Sequence, residues 1–177
     1  MTSLPTKLFL GIGVILLIFG IYLVWERNNP NRLSFQLSRN SKTTAESAEK
    51  PSILSVPSAN IALPIIPASI ADGKWEDTKQ GVSYLSNSPV PGHVGNSILY
   101  GHNWPTLLGN LSKVKPGDTI SVSFTSGDTK KFTVRFVTIV TPDETHILNQ
   151  TDDKRLTLYT CTGWFDSKRL VVTAVAE

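Results

Sequence analysis

The residue with the most chemistry to offer is Cys161, the only cysteine among 177 residues. It closes a strand-like run, 156–161, and a short polar loop leads from it to Arg169 at the head of a second apolar, β-branched run. A thiolate is a nucleophile and a guanidinium stabilises developing negative charge. A lone cysteine a few residues from an arginine therefore suggests a nucleophile beside an oxyanion stabiliser. The plain alternative is a buried thiol acting as a small hydrophobe. Such a nucleophile needs a base. Upstream, a Pro/Gly loop feeds a short strand, 97–100, which delivers Gly101 and His102 at its end. A histidine at a strand end is held rigidly yet reaches the terminus of a neighbouring strand, the geometry of a Cys–His pair. His93, inside the Pro/Gly loop, and His146, in the polar 142–154 segment, compete for the part; both read more simply as surface histidines.

Composition removes several other chemistries. One cysteine excludes an internal disulfide framework and any cysteine-cluster metal site. The formal charge of +3 invites an anionic partner. From residue 58 onward, however, basic and acidic residues balance at 11 each, so the excess lies before the domain. Nucleic-acid binding needs a basic patch on the folded part, and none is evident.

The elements that must position these residues are strands. Ile61, Leu63, Ile65 and Ile66 make one, with Pro64 inside it pointing to an edge position. Ile120, Val122 and Phe124 alternate with polar residues, Ser126, Gly127 and Asp128 turn the chain, and Phe132, Val134 and Phe136 alternate again: a hairpin. After Phe136 the phase slips to Val137 and Ile139, the mark of a bulge. Residues 156–161 and 170–175 complete the set, and 104–111 offers one short helix. Many short strands with Pro- and Gly-rich turns mean an all-β barrel or sandwich.

Ahead of this domain, residues 8–25 carry no charge over 18 positions. As a helix they span roughly 27 Å, close to the hydrocarbon thickness of a bilayer. A cleaved signal peptide is the competing reading, but the run is long, ends in Tyr22 and Trp25 as interfacial aromatics, and shows no small-residue cleavage site. It is read as an uncleaved anchor behind a short tail, 1–7. Residues 26–57 are rich in Ser, Asn, Thr, Lys and Glu without periodicity and read as a mobile stalk. The folded domain is then 58–177. Lys7 and the terminal amine flank one side of the anchor and Arg27, Arg32 and Arg39 the other. A count of positive charges alone would put the domain in the cytoplasm.

Thr157-Leu158-Tyr159-Thr160-Cys161 resembles the TLxTC signature of the sortases, membrane-anchored cysteine transpeptidases of bacterial surfaces. The run Gly92-His93-Val94-Gly95-Asn96 followed by Gly101-His102 resembles the loop and strand before that family's catalytic histidine. Arg169, the only arginine after Cys161, matches its arginine. The resemblance covers about residues 60–176. It implies an all-β fold, a closed eight-stranded β-barrel with short helices, preceded by one transmembrane helix. It also implies an N-terminus in the cytoplasm and a catalytic domain outside, against the charge count. The short loop 162–168, carrying Trp164, is closer to class D, E and F sortases than to class A.

The same resemblance assigns roles. Cys161 would attack the threonine carbonyl of an LPxTG-like sorting signal, leaving a thioacyl enzyme that an amine (a cell-wall precursor or a pilin lysine) resolves. His102 would protonate the leaving amine and deprotonate the incoming one, and Arg169 would hold the oxyanion or the substrate backbone. Thr160 would line the oxyanion site and Trp164 a groove wall, as would Trp104; ordinary packing competes in each case. Class A sortases bind calcium through acidic residues near the loop before the histidine, but residues 81–100 here hold no Asp or Glu. No metal and no cofactor are therefore expected. Two further functions stay open: a cysteine peptidase on the same barrel, and a membrane-anchored β-domain that only binds a ligand.

Overall fold

The computed structural model describes residues 4–27, 33–35, 49–71 and 74–177. Residues 1–3 of the expected tail and most of the expected stalk, 28–32 and 36–48, lie outside them. The chain divides into two units at Pro30. The first holds α1 (Leu4–Arg27). Its Leu8–Glu26 stretch is long and apolar enough to cross a membrane. Apart from the half-buried Leu23, the apolar side chains of residues 8–25 are exposed, with Tyr22 and Trp25 in ring contact.

The second unit is all-β. Among the described residues ten strands follow in order: β1 (Pro51–Val56), β2 (Ile61–Ala68), β3 (Ile70–Ala71), β4 (Lys74–Trp75), β5 (Val82–Leu85), β6 (Gly95–Gly101), β7 (Thr119–Phe124), β8 (Thr129–Val140), β9 (Lys154–Thr162) and β10 (Lys168–Ala176). Eight of them close the expected barrel in the order β1-β2-β5-β6-β9-β10-β8-β7, and β3 and β4 form a separate hairpin. Most neighbours are antiparallel; β2–β5 and β6–β9 are parallel. A closed barrel has no edge strand, so Pro64 is not at one. It sits instead just before the β2–β5 ladder, which begins at Ile65.

The β7–β8 hairpin turns at Gly127, whose φ of 94° a side chain would strain. The bulge on β8 falls at Arg135: Thr173 pairs with Phe136 and Ala174 with Val134. The extra residue reverses the alternation, so Phe132 and Val134 face the core, Phe136 is exposed and Val137 packs inward. The short helix expected over 104–111 is displaced: a turn follows His102 and a 3₁₀ helix occupies Gly109–Lys113.

Strand alternation divides the apolar residues into two cores. One fills the barrel and includes Leu99, Leu156, Leu158, Leu170 and Val172. The other covers the opposite face of β6, β9 and β10, and includes Tyr100, Tyr159, Cys161 and Val171. That outer core is completed by Trp75 from the β3–β4 hairpin and by Leu33 and Phe35. The domain therefore starts well before residue 58. β1 is a barrel strand made of residues read as stalk, and Leu33 and Phe35 are buried at 0% and 3% exposure. The six residues of β1, four apolar and two serines, carry too weak an alternation to stand out from the polar run before them.

Candidate active site

The strand register assembles the three chemical residues. Gly101 of β6 pairs with Thr160 of β9, so His102 and Cys161 each lie one step past that pair on parallel neighbours. Arg169 of β10 pairs directly with Cys161. Neighbouring strands lie about 4.8 Å apart, and the three residues fall on the same, outer face. In order across the sheet they are His102, Cys161 and Arg169. All three are buried, at 6%, 4% and 3% exposure.

Each is held by its surroundings. The His102 ring stacks on Trp104, with centroids 4.4 Å apart and planes 9° apart. Its Nε2 lies 2.5 Å from Oδ2 of Asp77. Asp77 follows the β3–β4 hairpin, which Trp75 anchors by edge-to-face contacts with Tyr100 and Tyr159. The Tyr100 hydroxyl donates to the Glu76 carbonyl, one residue before Asp77. Burial pushes the phenols of Tyr100 and Tyr159 above their ordinary range, so both remain neutral donors in the outer core.

Arg169 spends its fork on backbone carbonyls. Nη1 donates to Asp166 and Lys168 at 3.0 Å each, and Nη2 to Ser34 at 3.1 Å. Its Nε is buried with no hydrogen-bond partner among the described residues. A buried donor without an acceptor costs about 1–3 kcal/mol. The preceding loop is tightly wound: Phe165 and Asp166 adopt φ of 51° and 57°, a conformation side chains disfavour. Asn103 Nδ2 donates to Asp166 Oδ1 at 3.0 Å, joining the segment after His102 to the loop before Arg169.

The remaining expected site residues fare differently. Thr160 lies on the face of β9 opposite Cys161, and its hydroxyl donates to the Gly101 carbonyl at 2.7 Å. Its side chain braces β6 against β9 rather than lining the oxyanion position. Trp164 stands 83% exposed in the 162–168 loop, edge-to-face with Phe165. His93 is exposed and sits 3.5 Å from Glu49. His146 lies on the 3₁₀ helix Thr145–Leu148, away from this row.

Asp77, Trp75 and the Leu33–Ser34–Phe35 segment were absent from the sequence reading. The only local signal for Asp77 is a pair of adjacent carboxylates beside a tryptophan. Its partner is 25 residues away, which only the topology reveals.

A family model described as a sortase domain matches residues 54–177. Sortase D of Bacillus subtilis (strain 168) is 30% identical over 119 residues, which are 66% of this chain and 56% of that protein. Sortase A of Bacillus anthracis is 29% identical over 123 residues, 67% of this chain and again 56% of the relative. The chain thus matches little more than half the length of these curated relatives. Among solved structures, sortase A from Corynebacterium diphtheriae superposes with a TM-score of 0.63 at 27% identity, covering 93% of this chain and 83% of that one.

Proposed function

The chain belongs to the sortase family, and on that premise we propose that it is a membrane-anchored cysteine transpeptidase acting on an LPxTG-like sorting signal. The observation that supports this most is the register that sets His102, Cys161 and Arg169 side by side on three adjacent strands.

In this reading the Cys161 thiolate attacks the carbonyl carbon of the scissile amide. The oxyanion, or the neighbouring substrate carbonyl, accepts from the free Nε–H of Arg169, a preset donor in a buried site. Imidazolium His102 gives its proton to the departing amine, leaving a thioester. An incoming amine then attacks, neutral His102 takes its proton, and the thiolate leaves with a new amide formed. Serving as acid and then base demands a ring that does not turn between steps, which the Trp104 stack supplies. The helix α1 serves as the anchor, with its N-terminal end in the cytoplasm and the barrel outside. The balanced charge of the barrel fits a peptide substrate rather than a nucleic acid.

The test is to purify the full chain in detergent and mix it with a fluorogenic LPxTG-type peptide library, with and without diglycine or a lysine peptide. Cleavage lost in Cys161→Ala, His102→Ala and Arg169→Ala, with ligated product when amine is present, is expected. Cleavage whose product never contains the amine would make it a peptidase. No cleavage, with Cys161 inert to alkylation at neutral pH, would reduce the domain to a binding module.

A further inference from the structure

Beyond the three residues that meet the substrate, one carboxylate touches the machinery without a place in it. Asp77 Oδ2 lies 2.5 Å from His102 Nε2, and the two side chains are 18% and 7% exposed. We infer that Asp77 is a positioning residue for the transfer reaction, one that fixes which imidazole nitrogen exchanges protons; this rests on the reading of His102 as the acid–base group.

An ionised carboxylate has no proton to give, so the hydrogen in this contact belongs to Nε2. That leaves Nδ1 as the nitrogen that gives its proton to the departing amine and later takes one from the incoming amine. Over the two steps the Cys161 sulfur–carbon bond forms as the amide C–N bond breaks. A new C–N bond then forms as the C–S bond breaks. One proton leaves Nδ1 and one returns, and the Nε2 proton stays with Asp77. The negative charge also offsets the positive charge the ring carries while doubly protonated. A ring free to exchange tautomers would present the wrong nitrogen part of the time, and stacking on Trp104 alone cannot choose between nitrogens.

Asp77 is built into the fold as such a partner must be. The Glu76 amide donates to the Ser69 carbonyl at 3.0 Å, and the Glu76 carboxylate accepts from the Ser69 amide and hydroxyl at 2.8 and 2.9 Å. These hydrogen bonds hold that carboxyl below its ordinary range, so it stays ionised and in place. With Tyr100 on the Glu76 carbonyl and Trp75 2% exposed beneath, the residue before Asp77 is tied at its amide, carbonyl and side chain. Where a histidine ligates a metal, removing the carboxylate that orients its ring costs about 10–100-fold, and an orienting partner of a reacting ring is expected to matter at least as much.

The experiment uses the detergent-solubilised full chain, with kcat and KM measured on the peptide the library selects, alongside ¹⁵N shifts of the histidine imidazoles assigned through His102→Asn. Asp77→Asn, nearly isosteric, and Asp77→Ala are expected to lower kcat about 10²-fold with KM changed less than about threefold. Asp77→Glu should recover part of that loss. The ¹⁵N shifts should show His102 protonated at Nε2 in the wild type and moved toward the Nδ1–H form in Asp77→Asn. Wild-type kcat in Asp77→Asn, or an unchanged tautomer in it, would overturn the inference while leaving the transpeptidase intact. No Cys161-dependent turnover in the wild type would instead overturn the transpeptidase reading, and the inference with it.

Discussion

Arg169 is held structurally by the same guanidinium that the proposed mechanism uses. Three backbone carbonyls hold two of its nitrogens, and the third has a proton and no acceptor among the described residues. A lysine offers one compact ammonium that cannot span that fork. Arg169→Lys should therefore lower kcat/KM by about 10²-fold or more and also lower the melting temperature, because the carbonyls of Ser34 and Asp166 lose their donor. Normal turnover in that variant would remove Arg169 from the proposed site. Thr160→Val is the contrasting case. It should cost about 1–2 kcal/mol in urea unfolding through the lost bond to Gly101, yet leave KM for the peptide unchanged. At this scale the residue types and spacing, joined to the family resemblance, named Cys161, His102 and Arg169, and the strand register brings those three onto one face of adjacent strands. For Thr160 the structure favours the packing alternative, because adjacency in sequence along a strand means opposite faces in space. Asp77 was out of reach because a contact across 25 residues depends on how the β3–β4 hairpin folds back.

The elements tell a similar story with a different cause of failure. The alternating β7 and β8 and the β-branched β9 and β10 declared themselves by period, down to a bulge misjudged by one residue. The Leu33–Phe35 segment has no period to read. Its burial comes from partners far along the chain: the Tyr159 hydroxyl donates to the Leu33 carbonyl across 126 residues, and Phe35 meets Tyr159 edge-to-face at 4.9 Å. Phe35→Ala should destabilise the barrel by about 3–5 kcal/mol, read from chemical denaturation of the full chain. A chain beginning at residue 49 should lose more than that variant, since it also strips Leu33 and the Ser34 carbonyl on Arg169. Equal stability of the two proteins would mean that the segment does not seal the outer core. Asn96 offers a second test of an element. Its amide donates to the carbonyls of Ile147 and Asn149, and its Oδ1 accepts from Thr157, fastening the 145–150 stretch to β6 and β9. Asn96→Ala leaves the buried Thr157 hydroxyl without its acceptor and the two carbonyls without their donor, and should cost about 1–3 kcal/mol, with faster proteolysis in that stretch.

For the whole chain, the fold class was legible because barrels are built from repeated local signals, whereas the second, outer core was not, since it exists only once the barrel has closed. That outer core carries a consequence for pH. The barrel unit holds three of the chain's four tyrosines, and all three are buried: Tyr84, Tyr100 and Tyr159. Burial penalises the phenolate and pushes Tyr84 up to about 12, and Tyr100 and Tyr159 further still. An unfolded chain releases the same protons near pH 10, so above that pH the unfolded state binds fewer protons than the native one. Stability then falls as pH rises, starting near 10 and continuing through the raised native values; below pH 10 these groups have no effect, because both states are protonated. Phenolate absorbance at 295 nm, followed in a Tyr22→Phe variant so that only the barrel reports, should stay flat past pH 10 and then rise together with loss of the far-ultraviolet β signal. Tyr100→Phe should shift that joint transition to higher pH unless its lost bond to Glu76 costs more than the proton linkage returns, and the sign of the shift decides which term is larger. A smooth titration centred near 10 with the fold intact would mean that the outer core admits water to Tyr100 and Tyr159, and the rigid support inferred for Asp77 would fail with it.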